Sequence, residues 1–362
     1  MVQETALIDS LDRAWRRGLK DRKHKVIFEQ FRTTSAIDGA LAYEIRYLPS
    51  LTKKSSAMTS RNASRDASDA ESDREAEDER SAQHSKQQMM SLVTKNGRLA
   101  TSSSPDGAHT SNTTSEEPPK RDPFAPPRDN IVKEYAEYTL VLNMYPLERY
   151  HFLCVTNDFI PQTGRLRPQD LVQMWQILGE LAPDCRPYGF FNSGEKAGAS
   201  QQHRHMQFMR VSELDAAKKG LETLPEAIMR LQHVYESQHA DVFVHPDLPA
   251  AHFLVMLPEG ASQTYIFKQF NRLHELAQEA YDASITGDTH KDESEEMPYN
   301  FLMTKRCMMI LPRSTGAYEG CGVGGTCLVG CLCVENQDDV ELLKQAGFRA
   351  IMKHVGISFV GH

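Results

Sequence analysis

YGFFNSGEKAGASQQHRHMQFMR, from Tyr188 to Arg210, sets the organisation of the chain: an aromatic run, a segment of small and polar residues, then an alternating run. The spacing predicts strand, loop, strand. Tyr188, Phe190 and Phe191 form the first strand. In the loop, Asn192, Ser193, Gly194, Gly198, Ala199, Ser200 and Gln201 are small or polar, and small side chains let a ligand approach the backbone closely. The second strand is expected from His203 to Arg210, with His203, His205, Gln207 and Met209 on one face. Arg204, Met206, Phe208 and Arg210 fall on the other, because successive strand residues point to opposite sides.

Two imidazoles and a carboxamide on one face are poor core material, since burying polar groups without partners costs free energy. A neutral imidazole can attack phosphorus in line and carry the transferred group as a phosphoramidate. The second His, at i−2, can orient the first. Gln207 can donate an uncharged hydrogen bond to a phosphoryl oxygen and holds no proton for a leaving group or a water. Exposed loop amides suit the remainder of a polyphosphate. HxH on a strand also begins zinc and copper sites, and paired strand histidines also occur as hydrogen-bonded structure. GASQ, Gly198 to Gln201, directly upstream favours nucleotidyl transfer, because it supplies phosphate-binding groups where the nucleophile needs them.

Asn192, GASQ and HRHMQ (His203 to Gln207) together resemble the histidine-triad superfamily, in its branch of diadenosine tetraphosphate phosphorylases, or ATP adenylyltransferases. YNFLMTKRCMMILPRS, Tyr299 to Ser314, is similar to the C-terminal motif of the same enzymes, and weaker matches lie near residues 41–54 and 121–160. Relatives with Gln in the third triad position, galactose-1-phosphate uridylyltransferase among them, tend to be transferases, and three-His relatives tend to be hydrolases.

The resemblance implies an α+β fold of duplicated histidine-triad-like units, with a mainly antiparallel sheet flanked by helices. It implies reversible phosphorolysis of diadenosine tetraphosphate to ATP and ADP through an adenylyl-histidine on His205, oriented by His203, with Gln207 on a non-bridging oxygen. Adenylyl sulfate is a second substrate for the same intermediate. Lys54, Asn192, Gly198, Ala199, Ser200, Gln201, Tyr299, Asn300, Lys305 and Arg313 are the implied substrate contacts. For Lys54, a solvated pair with Lys53 is the alternative, and for Lys305 and Arg313, a surface pair flanking a strand. Cys307 departs from the family, whose members often carry tryptophan there. Two other functions stay open: a dinucleoside polyphosphate hydrolase, and a non-catalytic nucleotide sensor.

Bulk properties narrow the partners. A net charge of −8 and a pI near 6.0 argue against sequence-independent nucleic-acid binding. No nucleic-acid or membrane partner is expected, and the resemblance implies a dinucleoside polyphosphate and orthophosphate as partners. No run approaches the ~18 apolar residues of a membrane span, and MVQETALIDSLDRAWRRGLK is not a signal peptide. Leu7, Leu11, Trp15 and Leu19 have the spacing of a mitochondrial presequence, but Glu4, Asp9 and Asp12 count against one. A cytoplasmic location is expected, with the nucleus as a further compartment. The seven cysteines, Cys154, Cys185, Cys307, Cys321, Cys327, Cys331 and Cys333, sit mostly in apolar strands, as reduced thiols do. CLVGCLC has no CxxC, so no metal ligand set is expected. No covalent cofactor is expected either, and a magnesium or manganese ion bound with the substrate phosphates is the remaining option.

At 362 residues the chain is long enough for one large or two ordinary domains. Helices are expected from Val2 to about Arg32, then a strand from Ala42 to Leu48. Residues 55–120 lose apolar periodicity and read as a disordered polar insertion. DPFAPP, Asp122 to Pro127, resumes order and is expected to touch the nucleotide. Two units then repeat the order strand, helix, paired strands. Tyr138 to Asn143, His151 to Thr156, a helix near 169–181, Tyr188 to Phe191 and His203 to Arg210 make the first. Ala251 to Leu257, a helix near 262–283, YNFLMTK and CMMILP make the second, which lacks HxHxQ. Residues 1–54 with 121–215 form the expected catalytic domain and 216–362 a non-catalytic second half, a fused pair that favours a monomer. Gly316 to Gly330 is expected to be a turn before a strand from Thr326 to Val334. The tail is expected to form one helix with Leu342, Leu343 and Ala346 inward.

Overall fold

A computed structural model describes residues 2–21, 26–28, 31–51, 122–126, 128–285 and 296–359. The candidate Lys54 and the 55–120 insertion lie outside the described residues. Met1–Thr52 and Asp122–His362 make up one compact unit.

Its centre is a nine-stranded antiparallel sheet. The strands are β3 (Ile131–Glu134), β4 (Tyr138–Leu142), β5 (Phe152–Thr156), β6 (Pro187–Ser193), β7 (His205–Arg210), β8 (Val242–Phe243), β9 (Phe253–Met256), β10 (Tyr299–Met303) and β11 (Cys307–Pro312), in the spatial order 3-4-5-7-6-10-11-9-8. Apart from the edge strand β3, the order is a palindrome. In sequence, β4, β5, helix α2 (Pro168–Glu180), β6 and β7 are matched by β8, β9, α3 (Gln263–Ile285), β10 and β11. The halves meet where β6 pairs β10, from Tyr299 opposite Ser193 to Met303 opposite Gly189. The fold is therefore α+β with duplicated units on one antiparallel sheet, as the repeat implied.

Register makes the duplication quantitative. His151-Phe152-Leu153 at the head of β5 matches His252-Phe253-Leu254 at the head of β9. Phe152 pairs Phe208 on β7, and Phe253 pairs Ile310 on β11. Counting back three residues from each, Cys307 occupies in the second half the place of His205 in the first. The second half keeps the strand and lacks the imidazole.

Both sheet faces are covered, which is why the central strands are mostly apolar on both faces. On one face, Leu7, Leu11 and Trp15 of α1 (Val2–Lys20), Leu171 and Met174 of α2 and Phe270 and Leu273 of α3 pack on Phe191, Phe208 and Phe301. The other face carries Tyr188, Phe190, Leu302 and Met309. Against it lie a small sheet of β1 (Arg32–Asp38), β2 (Leu41–Tyr47) and a strand at Cys331–Val334, and the helices α4 (Gln337–Ala346) and α5 (Phe348–Val355). Full burial of each such side chain contributes about 1.5–3 kcal/mol. Among the described residues no helix is long and apolar enough to cross a membrane.

Three local expectations are corrected. The N-terminal helix ends at Lys20, and Arg32–Asp38 is a strand, because Gly39-Ala40 makes a two-residue hairpin loop with Gly39 at φ +62°. Gly325–Val329 is a 3-10 turn, so the following strand starts only at Cys331. Gly330 between them has φ +77° and would place a Cβ 2.7 Å from the Ala42 carbonyl, so only glycine lets this strand dock beside β2. The tail is two helices, broken at Gly347 with φ +77°, and Val340 and Leu343 face inward while Leu342 is exposed.

The segment before β5 carries an inward carboxyl. Glu148 accepts the Arg210 backbone N–H at 2.8 Å, and its Oε2 has no hydrogen-bond partner. Burial pushes the Glu148 pKa up to about 8, against the pull of the Arg210 and Arg46 guanidinium groups. From the ordinary carboxyl value to about 8 the folded chain holds this proton more tightly than the unfolded chain. Stability from this group is therefore lost as pH rises through that window. Wild type relative to Glu148→Gln should lose up to about 4 kcal/mol between pH ~5 and pH ~8 in urea unfolding; parallel pH curves for the two proteins would refute this.

Candidate functional site

The polar face of β7 lies between the two apolar regions of the sheet surface. His205 leaves its side chain only 5% exposed, and its backbone N–H donates to Gln162 Oε1 at 2.7 Å. Gln162 Nε2 in turn donates to the carbonyls of Asn192 at 3.0 Å and His205 at 3.1 Å. One buried carboxamide thus closes the gap between β6 and β7 beyond their last ladder pair, Phe190 with Gln207.

The His205 ring is held by its own chain. Nδ1 lies 2.9 Å from the His203 carbonyl, which can only accept, so Nδ1 carries the proton and Nε2 the lone pair. Phe124 packs against the ring, with centroids 5.2 Å apart. The tautomer is that of a nucleophile.

His203 sits just before β7, in an isolated bridge to Pro161, so the ladder starts two residues later than expected. Its Nδ1 meets Asp122 Oδ2 at 2.7 Å, and its Nε2 meets the Thr156 carbonyl at 2.9 Å and Thr156 Oγ1 at 3.0 Å. Thr156 Oγ1 donates its own proton to the Asp158 carbonyl and so accepts from His203. Each ring nitrogen of His203 faces oxygen acceptors, and the ring is locked in plane. Its carbonyl is thereby held on His205. Phe159, 58% exposed, stands edge-on to His203 at 5.4 Å between centroids.

The loop from Gly194 to Gln201 is supported from the second half. Asn192 Nδ2 donates to the Gly198 carbonyl at 3.3 Å, and its Oδ1 accepts from Asn300 Nδ2 and the Gly325 N–H, both at 3.0 Å. Asn300 Nδ2 also reaches the Ala197 carbonyl at 2.7 Å, and its Oδ1 accepts from Arg313 Nη1. Gly198 has φ +84°, and a Cβ there would lie 2.8 Å from Gly324 Cα. The glycine-rich stretch is thus packed against the loop itself. Ala199 donates to the Gly194 carbonyl at 3.1 Å, and Ser200 is exposed while Gln201 is half-buried.

The structure brings His203, His205, Gln207, Asn192, Gly198, Ala199, Ser200, Gln201 and Asn300 into one region and treats the remaining candidates differently. Arg313 is fully buried, and its guanidinium donates to the carbonyls of Val355, Thr315 and Val323 as well as to Asn300. It holds the scaffold, not a surface position near a phosphate chain. Tyr299 is also fully buried, its hydroxyl donating to the Gly164 carbonyl at 3.0 Å and accepting from the Leu166 N–H at 3.2 Å. Lys305 lies in the turn after β10, its ammonium 3.2 Å from the Trp175 ring centroid. Met303, three residues beyond Asn300, is already about 10 Å further along the strand at ~3.3 Å per residue, so Lys305 is not part of this constellation.

Gln162, Asp122, Thr156 and His151 were not singled out by sequence as site residues. Gln162 and Thr156 sit in segments without motif, and Asp122 is 81 positions from its partner His203. The second copy of His-Phe-Leu is the one signal that could have drawn attention to His151.

Comparisons with known proteins bear on the family and the fold. A family model described as the Ap4A phosphorylase N-terminal domain matches residues 79–225. One described as the ATP adenylyltransferase C-terminal domain matches residues 246–358. Diadenosine 5',5'''-P1,P4-tetraphosphate phosphorylase 2 of Saccharomyces cerevisiae is 28% identical over 239 residues, covering 62% of this chain and 72% of that protein. Protein APA1 of the same yeast is 24% identical over 234 residues, covering 61% and 71%. The crystal structure of a yeast Ap4A phosphorylase in complex with Ap4A matches with a TM-score of 0.65 at 19% identity, over 97% of each chain. The complex of that phosphorylase with AMP gives 0.61 at 18%, over 98% of each. These two likenesses show the fold.

The close approach of Gly198 to Gly324 is measurable without a ligand. Gly198→Ala should destabilise the chain by at least ~1 kcal/mol more than Gly220→Ala in urea unfolding. Gly220 has φ +77° with nothing near its Cβ direction, so it carries the backbone strain alone. Equal losses in the two variants would mean that the glycine loop does not brace Gly198.

Proposed function

The chain belongs to the Ap4A phosphorylase family, and from that premise we propose that it is an ATP adenylyltransferase converting diadenosine tetraphosphate and orthophosphate to ATP and ADP, reversibly. The observation that carries the chemistry is the hydrogen bond from His205 Nδ1 to the His203 carbonyl, which leaves the Nε2 lone pair for attack.

In this reading Nε2 forms a bond to the α-phosphorus as the bond from that phosphorus to the bridging oxygen breaks. ATP leaves with the electron pair and needs no proton at neutral pH. Orthophosphate then attacks the adenylyl-histidine, the P–N bond breaks, the lone pair returns to Nε2 and ADP leaves. His203 keeps its carbonyl on the His205 Nδ1–H, so the positive charge that develops on the ring in the adenylyl state faces an oxygen dipole. Gln207 steadies a non-bridging oxygen but cannot take a proton from an attacking water, which favours the already anionic phosphate as acceptor. The N–H groups of Gly198 and Ala199 are spent on the Glu195 and Gly194 carbonyls and shape the loop, so the backbone amides of Ser200 and Gln201 are the ones that hold the remaining phosphates, in a loop placed there by Asn192 and Asn300. On the neighbouring strands Val155, Leu153 and Val141 form an apolar surface under Phe124 and Ile131, against which the adenosine lies. Adenylyl sulfate fits the same first step, with sulfate leaving in place of ATP.

Among the described residues no three His, Cys, Asp or Glu side chains converge on a metal position. A magnesium or manganese ion would be carried by the substrate phosphates, and no step is routed through it. Because β6 pairs with β10 inside one chain, the seam that would join two subunits is already made, and the enzyme is read as a monomer. Its free cysteines suit a reducing compartment, and the cytoplasm is the location assigned.

Product analysis tests the proposal. With diadenosine tetraphosphate, ATP and ADP should form only when orthophosphate is present, and His205→Ala should lose at least ~10³-fold in rate. ATP plus AMP formed without phosphate would make the protein a hydrolase instead, and tight binding without turnover would make it a sensor.

A further inference from the structure

His151 heads β5 and is fully buried, on the sheet face that carries Gln207. Continuing the β5–β7 register places it diagonally across from Gln207, within reach of a long side chain. Its Nε2 lies 3.0 Å from Gln207 Oε1. Its Nδ1 receives the Leu147 backbone N–H at 3.1 Å, with Asn143 Nδ2 at 3.4 Å. A backbone N–H can only donate. Nδ1 therefore holds a lone pair, Nε2 holds the proton, and that proton is given to the carboxamide oxygen of Gln207.

The consequence concerns the direction of an amide. A glutamine side chain can present either its oxygen or its NH2 to a ligand, and the two ends are nearly isosteric. Presented to a phosphoryl oxygen, the carbonyl end repels and the NH2 end binds. With Oε1 engaged by His151, the NH2 of Gln207 is turned away from His151 and is the end offered to a phosphoryl group.

We propose that His151 is a positioning residue that sets the amide polarity of Gln207, so that the third triad position always acts as a hydrogen-bond donor to the transferring phosphoryl group. The role rests on the phosphorylase reading of the site. The corresponding imidazole of the second half does something else: His252 Nε2 accepts the His245 backbone N–H at 2.7 Å, and its Nδ1 donates to the Ala250 carbonyl at 2.6 Å. The two rings thus hold opposite tautomers, and only the one beside the nucleophile strand directs a proton at a carboxamide.

His151→Asn separates positioning from structure. Asparagine keeps an acceptor near the Nδ1 level for Leu147 but ends short of Gln207. Steady-state rates of diadenosine tetraphosphate phosphorolysis should fall about 10- to 100-fold in kcat, with KM changed less than threefold. In a Gln207→Ala background, His151→Asn should cost less than twofold more, because the group it orients is already gone. Wild-type rates in His151→Asn, or an equal fold-loss in both backgrounds, would overturn the proposal. If His151→Asn does not fold, His151→Gln, which restores a donor near the Nε2 level, should retain at least a third of wild-type kcat, and a rate as low as that of Gln207→Ala would overturn it equally. Absence of turnover in the wild type would instead bring down the phosphorylase reading, and the tautomer would then be read from 15N shifts of the His151 ring: a protonated Nδ1 would overturn the assignment by itself.

Discussion

The antiparallel seam between β6 and β10 is the contact on which the rest of the structure depends. Its register sets Asn192 opposite Asn300, and that single pairing joins the nucleophile's half of the chain to the half that has no nucleophile. From Asn300 the connection runs to Arg313 and the glycine-rich loop, and from Asn192 to Gly198. The second half has Cys307 in the place of His205. It supplies the wall against which the loop from Gly194 to Gln201 is folded.

Around His205 the backbone is held mainly by carboxamides: Gln162 between the strands, Asn192 and Asn300 under the loop, and Gln207 along the strand. A carboxamide can donate and accept at once and does not titrate, so it fixes geometry without competing for protons. The imidazoles are left as the groups whose tautomers matter, and each tautomer is dictated by a backbone group that can play one role only. A carbonyl defines His205 and an amide N–H defines His151.

The duplication shows how one scaffold supports an active and an inactive half. The strands, helices and their order are retained, since they bury apolar surface on both sheet faces, and that demand is the same in both halves. Cys307 at the position of His205 is buried and apolar in character, with its thiol pushed up to about 11 by burial. A cysteine there packs as core, so the second half loses chemistry without losing its strand.

Strand alternation alone placed His203, His205 and Gln207 on one face, and the repeated order of strand, helix and paired strands announced the duplicated sheet. Both are periodic properties, and periodicity is written locally in the chain. What local pattern could not show is which polar residues are inside. Arg313 and Tyr299 read as ligand-facing groups, yet both are fully buried because carbonyls distant in sequence converge on them. Lys305 falls beside Trp175 for the converse reason, since a short hairpin carries it to the far end of the sheet. Gln162 and His151 reach the site only through long-range hydrogen bonds, from residues with no motif around them, and Asp122, in the DPFAPP segment, does so through His203. The sequence by itself determined the central strands, their repetition and the face that His205 shares with Gln207. The tertiary structure alone decided which proton each imidazole carries and which end of each carboxamide faces a ligand, because those depend on acceptors and donors that meet only when the chain is folded.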